Sequence, residues 1–215
     1  MTQDFVTTDE AVDTDLFRHV VGHLASGVTV LTTRADDRDH GMTASSVTSL
    51  SMDPPMMLAC VNNGVPTTAA IESSGRYTIN VLGRAHGDLA NQFASPRSDK
   101  FAGVSIDRGR AGIPMLAETI ASLECEVTEQ VVGGTHSIFL GHVLSATARE
   151  GSPLTYFRGG FGRFEFAAGS QVPHGLRAHL RRRGVRAGPA TRRHHPHTTR
   201  PRGHAANDPR RIMIG

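Results

Sequence analysis

The chain of 215 residues has no tryptophan, two cysteines, a single lysine and only 5% aromatic residues. No apolar run is long enough to cross a membrane as a helix, so we expect no membrane-spanning segment. The region 1–15 carries five acidic residues and no basic one, unlike a secretory signal. Cys60 and Cys125 lie in predicted strands and form no metal-ligand cluster. We therefore expect a cytoplasmic protein with reduced, buried thiols and no metal site, a disulfide being the alternative.

Charge is divided unevenly along the chain. Residues 1–166 hold 12 Lys/Arg against 19 Asp/Glu, whereas residues 167–215 hold 11 Arg against one Asp. The basic end also has half of the 12 histidines and too few apolar residues to offset the entropy of ordering. We expect a flexible acidic leader (1–13), one folded domain (14–166) and a disordered Arg/His-rich tail (167–215). Nucleic-acid binding by the tail is a weaker alternative, because the tail lacks aromatics for base stacking.

Short strands dominate the folded part. Apolar residues at helical spacing predict an amphipathic helix over 16–24, capped from within residues 13–15, and two more short helices are expected at 67–73 and 86–93. Helices this few and this short do not fit an alternating βαβ sheet. The sequence therefore predicts a mainly β fold with short helices, in the form of a small closed or partly open barrel.

The clearest hairpin lies in the second half of the chain. Apolar residues alternate along 120–132 and again along 136–148, and the link Gly133-Gly134-Thr135 is typical of a hairpin connection.

Hydroxyl side chains are concentrated in one segment, Gly41–Pro55. Six serines and threonines fall between Thr43 and Ser51, with no charge before Asp53. Short hydroxyl side chains both donate and accept hydrogen bonds, so such a row suits a flat ligand with many acceptors, such as a flavin. A half-buried strand explains the same residues equally well.

Five landmarks in order resemble the flavin reductase-like family with the FMN-binding split barrel, over roughly Leu16 to Phe166. They are Ala25–Thr33, Thr43–Ser46, Asp99–Phe101, Gly134–His136 and Tyr156–Gly159. The resemblance implies a Greek-key, FMN-binding split β-barrel and a homodimer. It also implies an NAD(P)H-dependent flavin reductase, which transfers hydride from NADH or NADPH to FMN, or to FAD. The reduced flavin would supply a partner flavin-dependent monooxygenase. A non-catalytic flavin-binding protein of the same fold is the alternative.

The resemblance assigns the flavin's polar edge and ribityl chain to Thr43, Ala44, Ser45 and Ser46, with Ser51 nearby. For Ser51, a strand hydroxyl bonded to neighbouring backbone is the competing interpretation.

The phosphate segment departs from the family pattern, because Gly64–Pro66 replaces its middle hydroxyl residues. Asn62, Asn63 and Thr67 remain as candidate phosphate ligands, together with backbone N–H groups at the start of the following helix. Lys100 matches a family position near the flavin phosphate, and a solvated loop lysine is its alternative.

Three residues are expected around the nicotinamide. By resemblance His136 is the catalytic candidate, contacting the nicotinamide or moving a proton, although a solvent-facing hairpin histidine is the alternative. Tyr156 and Arg158 match a landmark at the mouth of the site. Arg158 would hold the dinucleotide phosphates or, alternatively, form a structural salt bridge.

Overall fold

The computed structural model describes residues 12–170. The expected leader up to residue 11 and the expected tail from residue 171 lie outside the described residues. Between them are three helices, Thr14–Val21 (α1), Pro66–Ser74 (α2) and Gly87–Ala94 (α3). None of the helices in this part of the chain has the length and apolarity needed to cross a membrane.

Twelve strands take up about half of the described chain and the helices a far smaller share, which confirms the mainly β fold with short helices. They are Ser26–Gly27 (β1), Thr29–Ala35 (β2), Arg38–Ala44 (β3), Val47–Met52 (β4), Pro55–Asn62 (β5), Arg76–Val81 (β6), Ile106–Arg108 (β7), Pro114–Leu116 (β8), Ala121–Gly133 (β9), His136–Ala148 (β10), Leu154–Phe157 (β11) and Gly160–Arg163 (β12).

Seven antiparallel strands form the main sheet, in the order β3-β2-β6-β9-β10-β5-β4. Strands β3 and β4 are therefore at opposite edges, yet only Ser45 and Ser46 connect them. The three Cα–Cα steps from Ala44 to Val47 span at most about 11 Å. The sheet must consequently curl until its two edges approach each other, which produces the expected barrel.

A ring of three backbone hydrogen bonds joins the main sheet to the small sheet β1-β11-β12. Val28 N–H donates to the Leu154 carbonyl (3.0 Å), Leu154 N–H to the Leu82 carbonyl (2.9 Å), and Leu82 N–H to the Val28 carbonyl (3.0 Å). All three residues are buried. This closed ring holds the β11–β12 hairpin against the barrel.

Two apolar clusters fill the interior. One is built around Tyr77 and Phe139 inside the main sheet. The other includes Phe93 and Leu154 and lies under the small sheet, where Phe93 meets Phe101 edge-to-face at 5.0 Å. The predicted hairpin of β9 and β10 is confirmed, with the two strands joined through Gly134-Thr135 and Gly134 at φ +62°. Side chains in the first half of β10 alternate between buried and half-buried, whereas the second half of β9 is exposed.

Candidate functional site

A cleft of about 850 Å³ lies between helix α1, strands β4 and β5, and the β11–β12 hairpin. Thr48 and Leu58 are paired across β4 and β5, so their side chains share one face of the sheet. Both line the cleft, as does Cys60 two residues further along β5. Burial raises the pKa of the Cys60 thiol, which keeps it neutral. The floor of the cleft is therefore mostly apolar.

Helix α1 forms the opposite wall through Phe17 and Val21, and Leu24 of the turn that follows the helix extends this wall. Asp13 caps it by accepting hydrogen bonds from the N–H groups of Asp15 and Leu16. No residue of this helix is buried. The helical spacing predicted α1 itself, but no sequence signal distinguished a helix that packs on the core from one that bounds a cleft.

The β11–β12 hairpin closes one end of the cleft with Tyr156, Arg158 and Gly159. Arg158 and Gly159 form a two-residue turn in which both φ angles are positive, +50° and +86°, as a type I′ turn requires. The Arg158 N–H donates to the Gly22 carbonyl at 3.0 Å, which ties the hairpin to the end of α1. Burial raises the pKa of the Tyr156 phenol.

The Arg158 guanidinium has no carboxylate within ion-pair distance among residues 12–170. Arg18, the other arginine that lines the cleft, is paired with Asp15. Within the described part of the chain, Arg158 is thus a cleft cation without a carboxylate partner and is available to an anionic ligand.

The hydroxyl segment is divided by the edge of the barrel. Ser45 and Ser46 line the cleft. Thr43 is 3% exposed and donates its hydroxyl to the Ala90 carbonyl at 2.6 Å, while Ala44 is fully buried in the core. Ser51 is paired with Met56 near the far end of β4. Of the five residues that the resemblance assigned to the flavin edge, the structure brings two to the cleft wall.

The segment that follows β5 is a tight loop. Asn62 Oδ1 accepts from Gly64 N–H at 2.7 Å and the Asn62 carbonyl accepts from Thr68 Oγ1 at 2.6 Å. Asn63 Oδ1 accepts from Ser137 Oγ at 2.8 Å. Thr67 is buried in the first turn of α2. The three candidate phosphate ligands are therefore brought together at the start of this helix.

Lys100 lies elsewhere, against α3. Its ammonium group donates to the carbonyls of Phe93 (2.9 Å) and Gly41 (3.2 Å), and burial lowers its pKa. These two bonds leave one of the three ammonium N–H groups for a ligand.

His136 begins β10 and is paired with Asn62 of β5. Side chains two residues apart on a strand share a face, so Asn62 and His136 continue the face that Leu58 and Cys60 present to the cleft. The step from Cys60 to Asn62 is about 7 Å along the strand. The Thr135 hydroxyl lies 2.8 Å from Nδ1 of the His136 ring, which fixes one side of the imidazole.

Comparison with known proteins agrees with this architecture. A family model described as the flavin reductase like domain matches residues 21–165. The chain is 47% identical over 155 residues to the reductase component of 4-nitrophenol 4-monooxygenase/4-nitrocatechol 2-monooxygenase from Rhodococcus opacus, covering 72% of this chain and 83% of that protein. It is 35% identical over 158 residues to a flavin reductase (NADH) from Kitasatospora aureofaciens, covering 71% of this chain and 83% of that protein.

Solved structures show the same fold. The NADH:FAD oxidoreductase of Streptomyces globisporus C-1027, in complex with NAD and FAD fragments, is 34% identical with a TM-score of 0.69, covering 74% of this chain and 99% of that one. A flavin reductase in its native state is 30% identical with a TM-score of 0.67, covering 72% and 99% of the two chains.

Proposed function

This chain belongs to the flavin reductase-like family, and on that premise we propose that it is an NAD(P)H:flavin oxidoreductase, which passes a hydride from a nicotinamide to a flavin for use by a separate monooxygenase. The observation that carries the proposal is the cleft between α1 and the β4–β5 sheet edge, which combines apolar walls with hydroxyl donors and one unpaired guanidinium. Such a site holds and aligns two flat rings, while the hydride chemistry belongs to the cofactors.

The residues of the cleft fit a flavin. Leu58 and Val21 supply apolar surface on opposite sides, Ser45 and Ser46 add hydroxyl groups at the barrel edge, and Thr48 adds one on the floor. A flavin bound there supplies the hydride-accepting atom of its ring system. The serine and threonine hydroxyls bind the polar edge of the ring and fix its orientation, and α1 excludes water from its face.

We propose FMN as the flavin, with FAD as the alternative. Asn62 lies about one strand step beyond the Cys60 floor, and Asn63 and Thr67 follow in the loop and in the first turn of α2. Side-chain amides and the N–H groups of a helix N-terminus are donors suited to a phosphate. Lys100 stays a prediction as a further phosphate ligand.

NADH is the co-substrate that we propose, because two of the similar proteins carry NADH in their names. Arg158 at the mouth of the cleft binds the dinucleotide phosphates through its planar donors. His136, on the face that continues the cleft floor, contacts the nicotinamide or holds a proton at the imidazole. Tyr156 supports the hairpin from below by packing edge-to-face on Phe161 at 6.0 Å.

A second copy of the chain completes the assembly that we propose. Leu16 and Val20 of α1 are both 56% exposed, and an eight-residue helix without buried side chains is marginal on its own in water. Light scattering should give twice the chain mass at micromolar concentration. A monomer that still reduces flavin would contradict this part of the proposal.

The test of the function is NADH oxidation by the purified protein with and without added flavin. We expect oxidation that depends on FMN, slower rates with NADPH, and electrons that reach a monooxygenase supplied separately. Flavin binding without NADH oxidation would instead support the non-catalytic flavin-binding alternative.

A further inference from the structure

A chain of polar side chains runs from α2 across the β9–β10 hairpin to Asn63. Glu72 Oε1 accepts from Gln130 Nε2 at 2.5 Å, and the same Gln130 nitrogen donates to Ser137 Oγ at 3.0 Å. Ser137 Oγ in turn donates to Asn63 Oδ1 at 2.8 Å. The chain therefore starts on a carboxylate and ends on the side-chain amide of one candidate phosphate ligand.

The direction of these bonds follows from the carboxylate. An ionised glutamate only accepts hydrogen bonds, so Glu72 requires the amide nitrogen of Gln130 on its side. Ser137 Oγ accepts from that nitrogen, which leaves its own proton for Asn63. Asn63 must then turn its oxygen towards Ser137 and its N–H donors away from it.

The loop backbone is held separately from this chain. Asn63 N–H donates to the Thr135 carbonyl at 2.9 Å, and the Asn62 side chain and carbonyl hold Gly64 and Thr68. Loss of the Ser137 hydroxyl would therefore free the Asn63 amide to rotate while the loop keeps its path.

We propose that Ser137 and Gln130 are positioning residues, which hold the Asn63 amide with its N–H donors directed towards a flavin phosphate. The proposal rests on the phosphate site proposed above. Neither residue touches the ligand; each acts through Asn63. Rotated by half a turn, the same amide would present its oxygen to the phosphate and repel it.

The experiment compares FMN with riboflavin, which lacks the phosphate, by fluorescence quenching on the full chain. The variants are Ser137→Ala, which removes the buried hydroxyl, and Gln130→Met, which removes the side-chain amide at an exposed position and keeps a similar side-chain length. The matched control is Thr128→Val on the same strand β9, whose hydroxyl donates to the Leu140 carbonyl at 3.1 Å and has no part in the chain.

We expect the Kd for FMN to rise about three- to tenfold in both variants, because each loses roughly one neutral hydrogen bond to the phosphate. The Kd for riboflavin should change less than twofold. The control should leave both constants unchanged. If Ser137→Ala does not fold, Gln130→Met decides, because its side chain is exposed. Equal weakening of FMN and riboflavin, or an unchanged FMN constant, overturns the positioning role.

A wild-type protein that binds FMN no more tightly than riboflavin overturns the phosphate site and the positioning role together. The wild-type comparison therefore separates failure of the proposed site from failure of the inference that depends on it.

Discussion

Arg158 occupies a position where backbone strain and ligand binding are opposed, so one substitution should move stability and activity in opposite directions. Its φ of +50° lies in the left-handed region, which costs a residue with a Cβ about 1–2 kcal/mol. Arg158→Gly removes that cost. Glycine also raises the conformational entropy of the unfolded chain, which lowers the free energy of unfolding by roughly 0.4–1 kcal/mol. The net gain is about 0.5–1 kcal/mol, or about 1–4 °C in Tm for a domain of this size.

The same substitution removes the cleft guanidinium that has no carboxylate partner among residues 12–170. A hydrogen bond to a charged group contributes about 1.5–3 kcal/mol, so the KM for NADH should rise tenfold or more. Because the contact is the same in the ground state and the transition state, kcat should change little. The measurements are a thermal melt and steady-state NADH oxidation at saturating FMN.

Two variants separate the two effects. Arg158→Ala keeps the strained φ and loses the charge, so it should raise KM equally without raising Tm. Asp36→Gly relieves a similar φ of +48° in the turn between β2 and β3, outside the cleft, and should raise Tm with an unchanged KM. An unchanged KM in Arg158→Gly would refute the phosphate contact, and a lower Tm would refute the strain argument.

Three further predictions concern other parts of the structure. His136→Ala should lower NADH turnover about a hundredfold if the imidazole moves a proton, with flavin affinity within twofold; wild-type turnover would support a surface histidine. Burial raises the pKa of Glu124, but hydrogen bonds from Ser145, Ala111 N–H and Arg110 N–H outweigh it and hold that pKa below its usual value. The ionised Glu124 therefore stabilises the fold above the unfolded-state pKa of about 4.3, and this contribution is lost as pH falls below it. The plot of Tm against pH should be flatter for Glu124→Gln than for the wild type. An unchanged slope would contradict this. Within residues 12–170 the buried Tyr77 hydroxyl has no oxygen or nitrogen partner, and its neighbour is the Cys125 thiol, a weak acceptor. Tyr77→Phe should therefore leave the free energy of unfolding unchanged or raise it by about 1 kcal/mol, and a clear loss in urea unfolding would contradict this.

The sequence predicted the elements of the fold better than the faces they present. The apolar residues of β9 and β10 and the glycine-rich link between them predicted the hairpin, because strand propensity and a two-residue turn are local properties. The hydroxyl segment is different. Its spacing identified neither the barrel edge at Ser45 nor the inward direction of Thr43, because those depend on strands far away in the sequence.

Two further features of the site also depend on strands and helices that are far apart in the sequence. Lys100 stays a prediction as a phosphate ligand, but nothing in the sequence indicated that two of its three N–H donors would bind the carbonyls of Gly41 and Phe93. The series of side-chain hydrogen bonds from Glu72 to Asn63 had no sequence signal at all, since its members come from a helix, two strands and a loop. Only the barrel's register places them together.

The hydrogen-bond ring of Val28, Leu82 and Leu154 has a consequence for how the enzyme opens. Each member comes from a distant part of the chain, so none of the three bonds can form until the whole barrel topology is nearly complete. The short β11–β12 hairpin that carries Tyr156 and Arg158 would fray easily if it depended on its own four-residue strands. Joined to this ring, it exchanges its innermost amides only when the barrel itself unfolds. The base of the hairpin is thereby as durable as the core, and motion at the mouth is left to the hairpin tip and α1, which the Arg158–Gly22 bond links.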